Sequence, residues 1–381
     1  MNFTDDHGTS TADMRLPGDM LRNVLEKQGL TQRELALRTG RPFKTISEIM
    51  NGKTRITPET AIQLENVLRV PAGFWIDAEG RYREYQARKE EADELKSQIG
   101  QLENYPLSAL HRRGFISETE HNTDLVKEVI GFYGVNALAQ IEEIYNGDNV
   151  HFRRPIEEAG KPRHLAAWLR EGEVLANNIP APPYEEETFK QNLHKIRNLN
   201  ENEPEVSIKD VYEICKEAGV ILLYVPKYPG GHVDILARWL CPDKALVQFG
   251  IPFQSELEFC SVLFHEAVHL IRHSKKKIYA DLYRGEHETE DEFTMDELDR
   301  EADRVARNLL VPDEEYDRIQ SDKPITQQKI LSTAQYLDVS PGLIVSRLQK
   351  EHKIPRYWMN YLKKKVVDWD LLSDPLSPTN S

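Results

Sequence analysis

Two histidines, His265 and His269, lie four residues apart, and a carboxylate, Glu266, directly follows the first of them. On a helix, residues four apart share a face, so the two imidazoles can hold one zinc ion. Glu266 is then placed to act as a general base toward a water molecule at the metal. The preceding residues are apolar at helical spacing, without proline or glycine, and predict a helix from about Gln254 to His273. This pattern therefore predicts a hydrolytic zinc site.

A zinc site with an open position for water needs a third protein ligand. The next segment with a strong helical pattern, about Met295 to Leu310, offers Asp299 and Glu301. At about 100° per residue these two carboxylates fall on opposite edges of the apolar stripe, so the helical pattern leaves both as alternatives. Asp303 lies one turn after Asp299, where it can accept the second N–H of a zinc-bound histidine, and this favours Asp299. His273, one turn beyond His269, is expected to be structural.

The composition is that of a globular protein with a strong negative charge. The chain has 381 residues, a formal net charge of −14 and 29% charged residues, and its length allows two or three domains. We find no signal-peptide pattern at the N-terminus and no apolar run long enough for a membrane span, so we expect a cytoplasmic protein. The three cysteines are too few and too scattered for a disulfide framework or a cysteine metal knuckle.

The negative charge is not spread evenly along the chain. Between Arg15 and Ile56, nine lysines and arginines stand against four aspartates and glutamates. A net charge of −14 argues against nucleic-acid binding by the whole chain, but a basic island indicates a local surface for phosphate groups.

The basic island is predicted to fold as a compact four-helix unit, with helices at about 18–28, 31–38, 43–51 and 58–68. Thr31 is expected to cap the second helix with Glu34 at the capping-box position, and Gly40 to end it. One small core is expected from the apolar residues Leu21, Leu25, Leu30, Leu35, Ala36, Ile46, Ile49, Ile62, Leu64 and Leu68.

The chain resembles the helix-turn-helix of the XRE and lambda-repressor group at residues 30–36, at Gly40 and at residues 45–53. With Val70-Pro71-Ala72 and Phe74-Trp75 added, the resemblance is closest to HigA-type antitoxins and extends over about 18–88. It implies that 43–51 is a recognition helix in the major groove of a double-stranded operator. A homodimer is expected, since two half-sites one DNA turn apart commonly bind such a module. The resemblance implies base-edge or backbone contacts from Lys44, Thr45, Ser47 and Glu48, and phosphate contacts from Gln32, Lys53 and Arg55.

Three strands are predicted at about 220–225, 234–240 and 244–249, the last directly before the zinc helix. Helices predominate elsewhere, so the fold class is mainly α with a small α+β domain. An exposed strand edge beside the zinc would let an extended substrate add on as another strand. Residues 105–205 show no pattern that indicates chemistry, and we expect them to support the zinc domain.

The chain resembles the ImmA/IrrE family of metallopeptidases over about residues 206–312. The resemblance is carried by residues 264–273 and, after a polar loop, by residues 299–312. A glutamate typically stands in that family at the position of Asp299. The resemblance implies a zincin-like fold with a short sheet, a Zn²⁺ cofactor and endopeptidase activity. Members of the family include proteases that cut a helix-turn-helix repressor. The chain is therefore expected to be a regulator that cleaves itself or a partner repressor, relieving repression in a stress, toxin–antitoxin or mobile-element context.

A second interpretation stays open. A HigA-like antitoxin or repressor could use its zinc domain only as a sensor or to hold a cognate toxin. Proteolysis that requires both the metal and Glu266 would distinguish the two.

The same signals divide the chain into segments. The sequence pattern of a helix-turn-helix recurs near residues 334–349, but the charged residues there form no clear DNA-binding face. We therefore expect a helical cap in this segment. The expected segments are a disordered tail (1–14), the helix-turn-helix domain (15–80), a charged linker helix (81–104), a helical middle region (105–205), the metallopeptidase-like domain (206–320), the helical cap (321–371) and a second disordered tail (372–381).

Overall fold

The structure, a computed structural model, describes residues 15–117, 120–146, 150–152, 160–199, 205–281, 297–321 and 323–372. They form two compact units that meet in the sequence between Ile99 and Gly100. The first predicted tail lies outside the described residues. Of the second, only Leu372 is described, and there the expectation of disorder is wrong, because Leu372 ends a 3-10 helix and is buried. None of the described helices is long and apolar enough to cross a membrane.

The first unit consists of five helices whose ends follow local sequence signals. Thr31 and Glu34 form the expected capping box, in which the Thr31 hydroxyl accepts from the Glu34 amide and the Glu34 carboxylate accepts from the Thr31 amide. Gly40 ends the same helix with φ of 69°, a conformation that favours glycine. The helices are α1 (Pro17–Gln28), α2 (Gln32–Thr39), α3 (Phe43–Met50), α4 (Pro58–Leu68) and α5 (Ala72–Gln98).

The core of this unit differs from the expected one at Ile62, whose side chain is 55% exposed. On α4 the buried face is set by Ala61, Leu64 and Leu68, and a residue directly after Ala61 points about 100° away from it. At the other end of the unit, α5 runs without a break across residue 80, where we expected the linker helix to begin. Its first turns belong to the helix-turn-helix core, since Trp75 is fully buried there.

The second unit is built mainly from helices, as expected. A long helix, α12 (Glu256–Arg272), carries the histidine pair, and it packs beside α13 (Glu297–Leu310), which carries the acidic residues. The helices are α6 (Leu107–Arg112), α7 (Thr123–Tyr133), α8 (Ala139–Asn146), α9 (Pro162–Asn178), α10 (Glu186–Ile196), α11 (Ile208–Glu217), α12 (Glu256–Arg272), α13 (Glu297–Leu310), α14 (Asp313–Ser321), α15 (Gln327–Leu337) and α16 (Pro341–Lys350).

A five-stranded mixed sheet lies in the second unit, in the order β1-β6-β4-β5-β3. The three predicted strands are present as β3, β4 and β5, and β4 is antiparallel to both β5 and β6. Two strands of three and four residues, β1 and β6, were not predicted, because so few residues show no period. The strands are β1 (Val150–Phe152), β2 (Glu205–Ser207), β3 (Val220–Tyr224), β4 (Ile235–Cys241), β5 (Lys244–Phe249), β6 (Ile278–Asp281) and β7 (Lys365–Val367).

The C-terminal residues pack into the same unit. Strand β7 pairs in parallel with β2, about 160 residues earlier in the chain. Trp369 then contacts the rings of Phe249, Phe253 and Phe259, and its indole N–H donates to the Phe253 carbonyl at 2.8 Å. The chain after α16 therefore completes the core beneath the start of α12.

Candidate metal centre and nucleic-acid interface

Helix α12 places His265, Glu266 and His269 in the interior of the second unit. These three residues and Asp299 on α13 are each at most 4% exposed. The Nε2 atoms of the two histidines are 2.9 Å apart, and Oδ1 of Asp299 lies 3.4 Å from Nε2 of His269 and 3.7 Å from Nε2 of His265. One ligand atom from each of these three residues lies within 4.8 Å of the other two. Two imidazoles and one carboxylate thus converge on one point.

The electrostatics of the cluster are those of a site for a cation. Burial alone would raise the pKa of Asp299, but hydrogen bonds from His151, His265 and His269 hold it well below its ordinary value. Burial likewise disfavours the charged form of His265, yet Asp299 and Asp303 raise the pKa of that imidazole to about 10. Burial lowers the pKa of His269 to about 4, although Asp299 opposes this. The buried carboxylate therefore requires a positive charge beside it, which a proton or a metal ion can supply.

The donor set favours a transition-metal ion over Ca²⁺ or Mg²⁺. Two imidazole nitrogens and one carboxylate oxygen are the donors of catalytic zinc sites, whereas Ca²⁺ and Mg²⁺ prefer oxygen donors alone. The residues present therefore fit Zn²⁺ with three protein ligands.

The Nδ1 atoms of both imidazoles, which point away from the cluster, also have hydrogen-bond partners. Nδ1 of His265 lies 2.7 Å from Oδ1 of Asp303, and Nδ1 of His269 lies 2.7 Å from Nδ1 of His273. Nε2 of His273 in turn lies 3.5 Å from Oε2 of Glu301. These contacts fix the ring orientation and leave both Nε2 atoms facing the cluster.

The two alternatives for the third ligand have different surroundings. Asp299 faces the two Nε2 atoms, whereas Glu301 pairs with Arg272 at 2.9 Å and reaches the cluster only through His273. The pKa of Glu301 lies below its ordinary value because of the hydrogen bonds to Arg272 and His273. Among the described residues, the group that can hold a metal contains Asp299 and not Glu301.

Two residues near the cluster were missed by the sequence analysis. The ring of Tyr279 on β6 is stacked on that of His269, with centroids 4.3 Å apart and planes 15° apart. His151 on β1 places Nε2 3.3 Å from Oδ2 of Asp299. His151 lies within residues 105–205, where the sequence showed no pattern that indicates chemistry. No local signal could have found it, because the contact spans 148 residues of sequence.

Of the residues expected to contact DNA, four lie on α3, Lys53 and Arg55 lie in the loop after it, and Gln32 begins α2. The apolar residues Ile46, Ile49 and Met50 are buried, so the opposite face of α3 is available. Lys44, Lys53 and Arg55 are exposed, while Gln32, Thr45, Ser47 and Glu48 are half-buried.

Glu48 already has partners within the unit. Its carboxylate accepts from the Thr54 hydroxyl at 3.2 Å and lies 3.8 Å from Nζ of Lys44. A ring missed by the sequence analysis, Phe43, begins α3 with 48% exposure, and the guanidinium of Arg33 lies 5.9 Å from its centroid.

Comparison with known families finds two matches, one in each unit. A helix-turn-helix family model matches residues 21–75, and a model described as the IrrE N-terminal-like domain matches residues 253–349. The first match contains the exposed face of α3. The second contains His265, Glu266, His269 and Asp299, and β1 lies outside it.

Individual proteins are also similar to parts of the chain. Virulence-associated protein A from Dichelobacter nodosus is 37% identical over 82 residues, which are 21% of this chain and 80% of that protein. Two solved structures each cover 22% of this chain. A protein described as an antidote of a plasmid maintenance system from Nostoc punctiforme is 23% identical, with 91% of it covered and a TM-score of 0.21. A HigA-family addiction module antidote from Coxiella burnetii is 22% identical, with 92% of it covered and a TM-score of 0.20.

Proposed function

We propose that this chain, which belongs to the family of virulence-associated protein A and carries a helix-turn-helix domain and an IrrE N-terminal-like domain, is a transcriptional regulator with zinc-dependent endopeptidase activity. It binds double-stranded operator DNA in the cytoplasm as a homodimer. It cleaves itself or a partner repressor, and cleavage relieves repression. The observation that carries the peptidase proposal is the buried convergence of two imidazoles and one carboxylate, with Glu266 adjacent on α12.

The mechanism assigns one task to each of these side chains. His265, His269 and Asp299 would hold the ion. When bound, Zn²⁺ polarises a peptide carbonyl and lowers the pKa of adjacent water. Glu266 accepts the proton of the attacking water and passes it to the nitrogen of the leaving amine. Asp303 keeps the ring of His265 oriented through Nδ1.

The test uses the full chain as both enzyme and substrate. A tagged Glu266→Gln chain, which keeps the metal ligands, is incubated with untagged wild-type protein, Zn²⁺ and operator-length DNA. A peptide library is digested in parallel to reveal cleavage of other sequences. We expect wild-type protein to cut the tagged chain or library peptides, and a chelator or Glu266→Gln in the enzyme to abolish cleavage.

Two outcomes would count against this proposal. Undiminished cleavage by the Glu266→Gln enzyme would exclude Glu266 as the general base. A wild-type protein that binds about one zinc per chain but cuts neither substrate would favour a non-catalytic domain that senses a signal or holds a toxin.

A further inference from the structure

Strand β1 brings a third imidazole to the cluster from outside the matched residues 253–349. In the parallel pairing of β1 with β6, His151 stands opposite Tyr279. Partners in register on neighbouring strands project from the same face of a sheet. Tyr279 is stacked on His269, so His151 projects from the face that looks toward the metal ligands.

The two oxygens of Asp299 are divided between two sets of partners. Oδ1 faces Nε2 of both His265 and His269, whereas Oδ2 lies 3.3 Å from Nε2 of His151. The side chains of Asp299 and His151 are 2% and 11% exposed, so water is largely excluded from this contact. A carboxylate oxygen accepts, so Nε2 of His151 is the donor.

We infer that His151 is a positioning residue of the metal centre, which holds Oδ2 of Asp299 and leaves only Oδ1 to bind the ion. A carboxylate held in this way binds through one oxygen, and a coordination position then stays open for water and a peptide carbonyl. This inference rests on the metal site proposed above but not on peptidase activity.

The arrangement of the other ligands supports this role. Nδ1 of His265 lies 2.7 Å from Oδ1 of Asp303, and Nδ1 of His269 lies 2.7 Å from Nδ1 of His273. His151 gives Asp299 the corresponding partner, so all three ligands are oriented from outside. The first two partners lie on or near α12 and α13, and the third comes from the sheet edge. The chain before residue 253 therefore completes the site.

The test compares full-length wild-type protein with His151→Ala, His151→Gln and His111→Ala, the last removing an exposed histidine on α6. Zinc affinity is measured by competition with a chromophoric chelator, and Co²⁺-substituted protein is examined by visible absorption, which reports coordination number. We expect His151→Ala to bind zinc about 10- to 100-fold more weakly. The visible absorption bands of its Co²⁺ form should lose intensity, because bidentate binding by Asp299 would raise the coordination number of the ion. His151→Gln, whose amide can donate to Oδ2, should recover most of the affinity, and His111→Ala should match wild type.

Several results would overturn the inference. Equal zinc affinity and equal Co²⁺ spectra in wild type and His151→Ala would show that His151 does not position Asp299. A lower melting temperature of metal-free His151→Ala, with no recovery of zinc affinity in His151→Gln, would show that His151 stabilises the fold and does not position Asp299. A Co²⁺ spectrum of wild type that an added hydroxamate leaves unchanged would indicate a closed site with His151 as a fourth ligand. Absence of metal from wild type would instead contradict the proposed metal site itself.

Discussion

Asp299 and Glu301 stand two residues apart on α13, yet only one of them faces the imidazoles. Asp299 is buried with Oδ1 toward both Nε2 atoms, whereas Glu301 is half-exposed and bonded to Arg272. A carboxylate facing the ligand position contributes directly to metal affinity. One that acts through His273 only orients another ligand, which has a smaller effect.

We predict that Asp299→Ala loses its zinc during purification without added metal, while Glu301→Gln retains about one zinc per chain. Elemental analysis of both variants beside wild type measures this. Glu301→Gln is the matched control, because it lies on the same helix and also removes one negative charge. Retention of zinc by Asp299→Ala with loss in Glu301→Gln would exchange the roles of the two residues.

Glu256 is a buried carboxylate at the start of α12, away from the metal cluster. It accepts from the Ser340 hydroxyl at 2.9 Å and is 4% exposed. Burial raises the pKa of this carboxyl from 4.5 to about 7, although Ser340 and Lys364 favour the charged form. Between these two values the folded protein binds more protons than the unfolded chain, so the stability contributed by this group is lost as the pH rises from about 4.5 to 7.

We predict that Glu256→Gln is more stable than wild type at about pH 8, by up to about 3 kcal/mol, and nearly equal to it at about pH 5. The amide keeps an acceptor for Ser340 but never ionises. Denaturant unfolding of both proteins with a chelator present measures the free energy of unfolding. Glu258→Gln, half-buried in the same helical turn, is the control. A stability gain that is the same at both pH values would contradict the ionisation of Glu256.

At the scale of elements, helix α3 has one face buried in the core and an opposite face that carries exposed side chains. Ile46 and Ile49 anchor it in the core, while Lys44 extends into solvent with 85% of its side chain exposed. The loop after α3 adds Lys53 and Arg55, both exposed. If α3 is the recognition helix, as proposed, its exposed side chains would distinguish bases. Those on the loop would contact phosphates, which carry no sequence information.

We predict that Lys53→Ala and Arg55→Ala each weaken DNA binding equally for all sequences and reduce the slope of log K against log salt by about 1. Ser47→Ala should instead change the preference among operator sequences. Fluorescence anisotropy over a salt series measures both effects. Lys89→Ala, which removes an exposed charge on α5, is the control and should leave the slope unchanged. A change of sequence preference in Arg55→Ala would mean that Arg55 reads bases.

At the scale of the whole molecule, the second unit is closed by residues from its C-terminal end. Trp369 packs among Phe249 at the end of β5, Phe259 in α12 and Phe253 in the loop between them. The same region holds the pairing of β7 with β2. The packing of the start of α12 therefore depends on contacts that span more than a hundred residues of sequence.

We predict that Trp369→Ala lowers the free energy of unfolding of the second unit by about 3–5 kcal/mol, because a large buried side chain is removed. Denaturant unfolding followed by circular dichroism measures this. Tyr361→Ala, at a ring that is 69% exposed, should change the stability little. Equal effects of the two substitutions would show that the aromatic cluster does not support this core.

The sequence alone determined what is local. The spacing of His265 and His269 predicted a shared helix face, and the Thr31–Glu34 pair predicted a capped helix. Three short segments at 220–225, 234–240 and 244–249 predicted three strands. Each of these patterns arises within one helix or strand. The mainly α fold class followed from these elements.

Tertiary structure decided which elements meet. The helical period left Asp299 and Glu301 equivalent, and only the packing of α13 beside α12 turned Asp299 toward the imidazoles. His151 and Tyr279 reached the cluster through a sheet edge whose strands are too short to show a period. Approach between distant segments depends on the packing of the whole unit, which no local pattern of residues encodes.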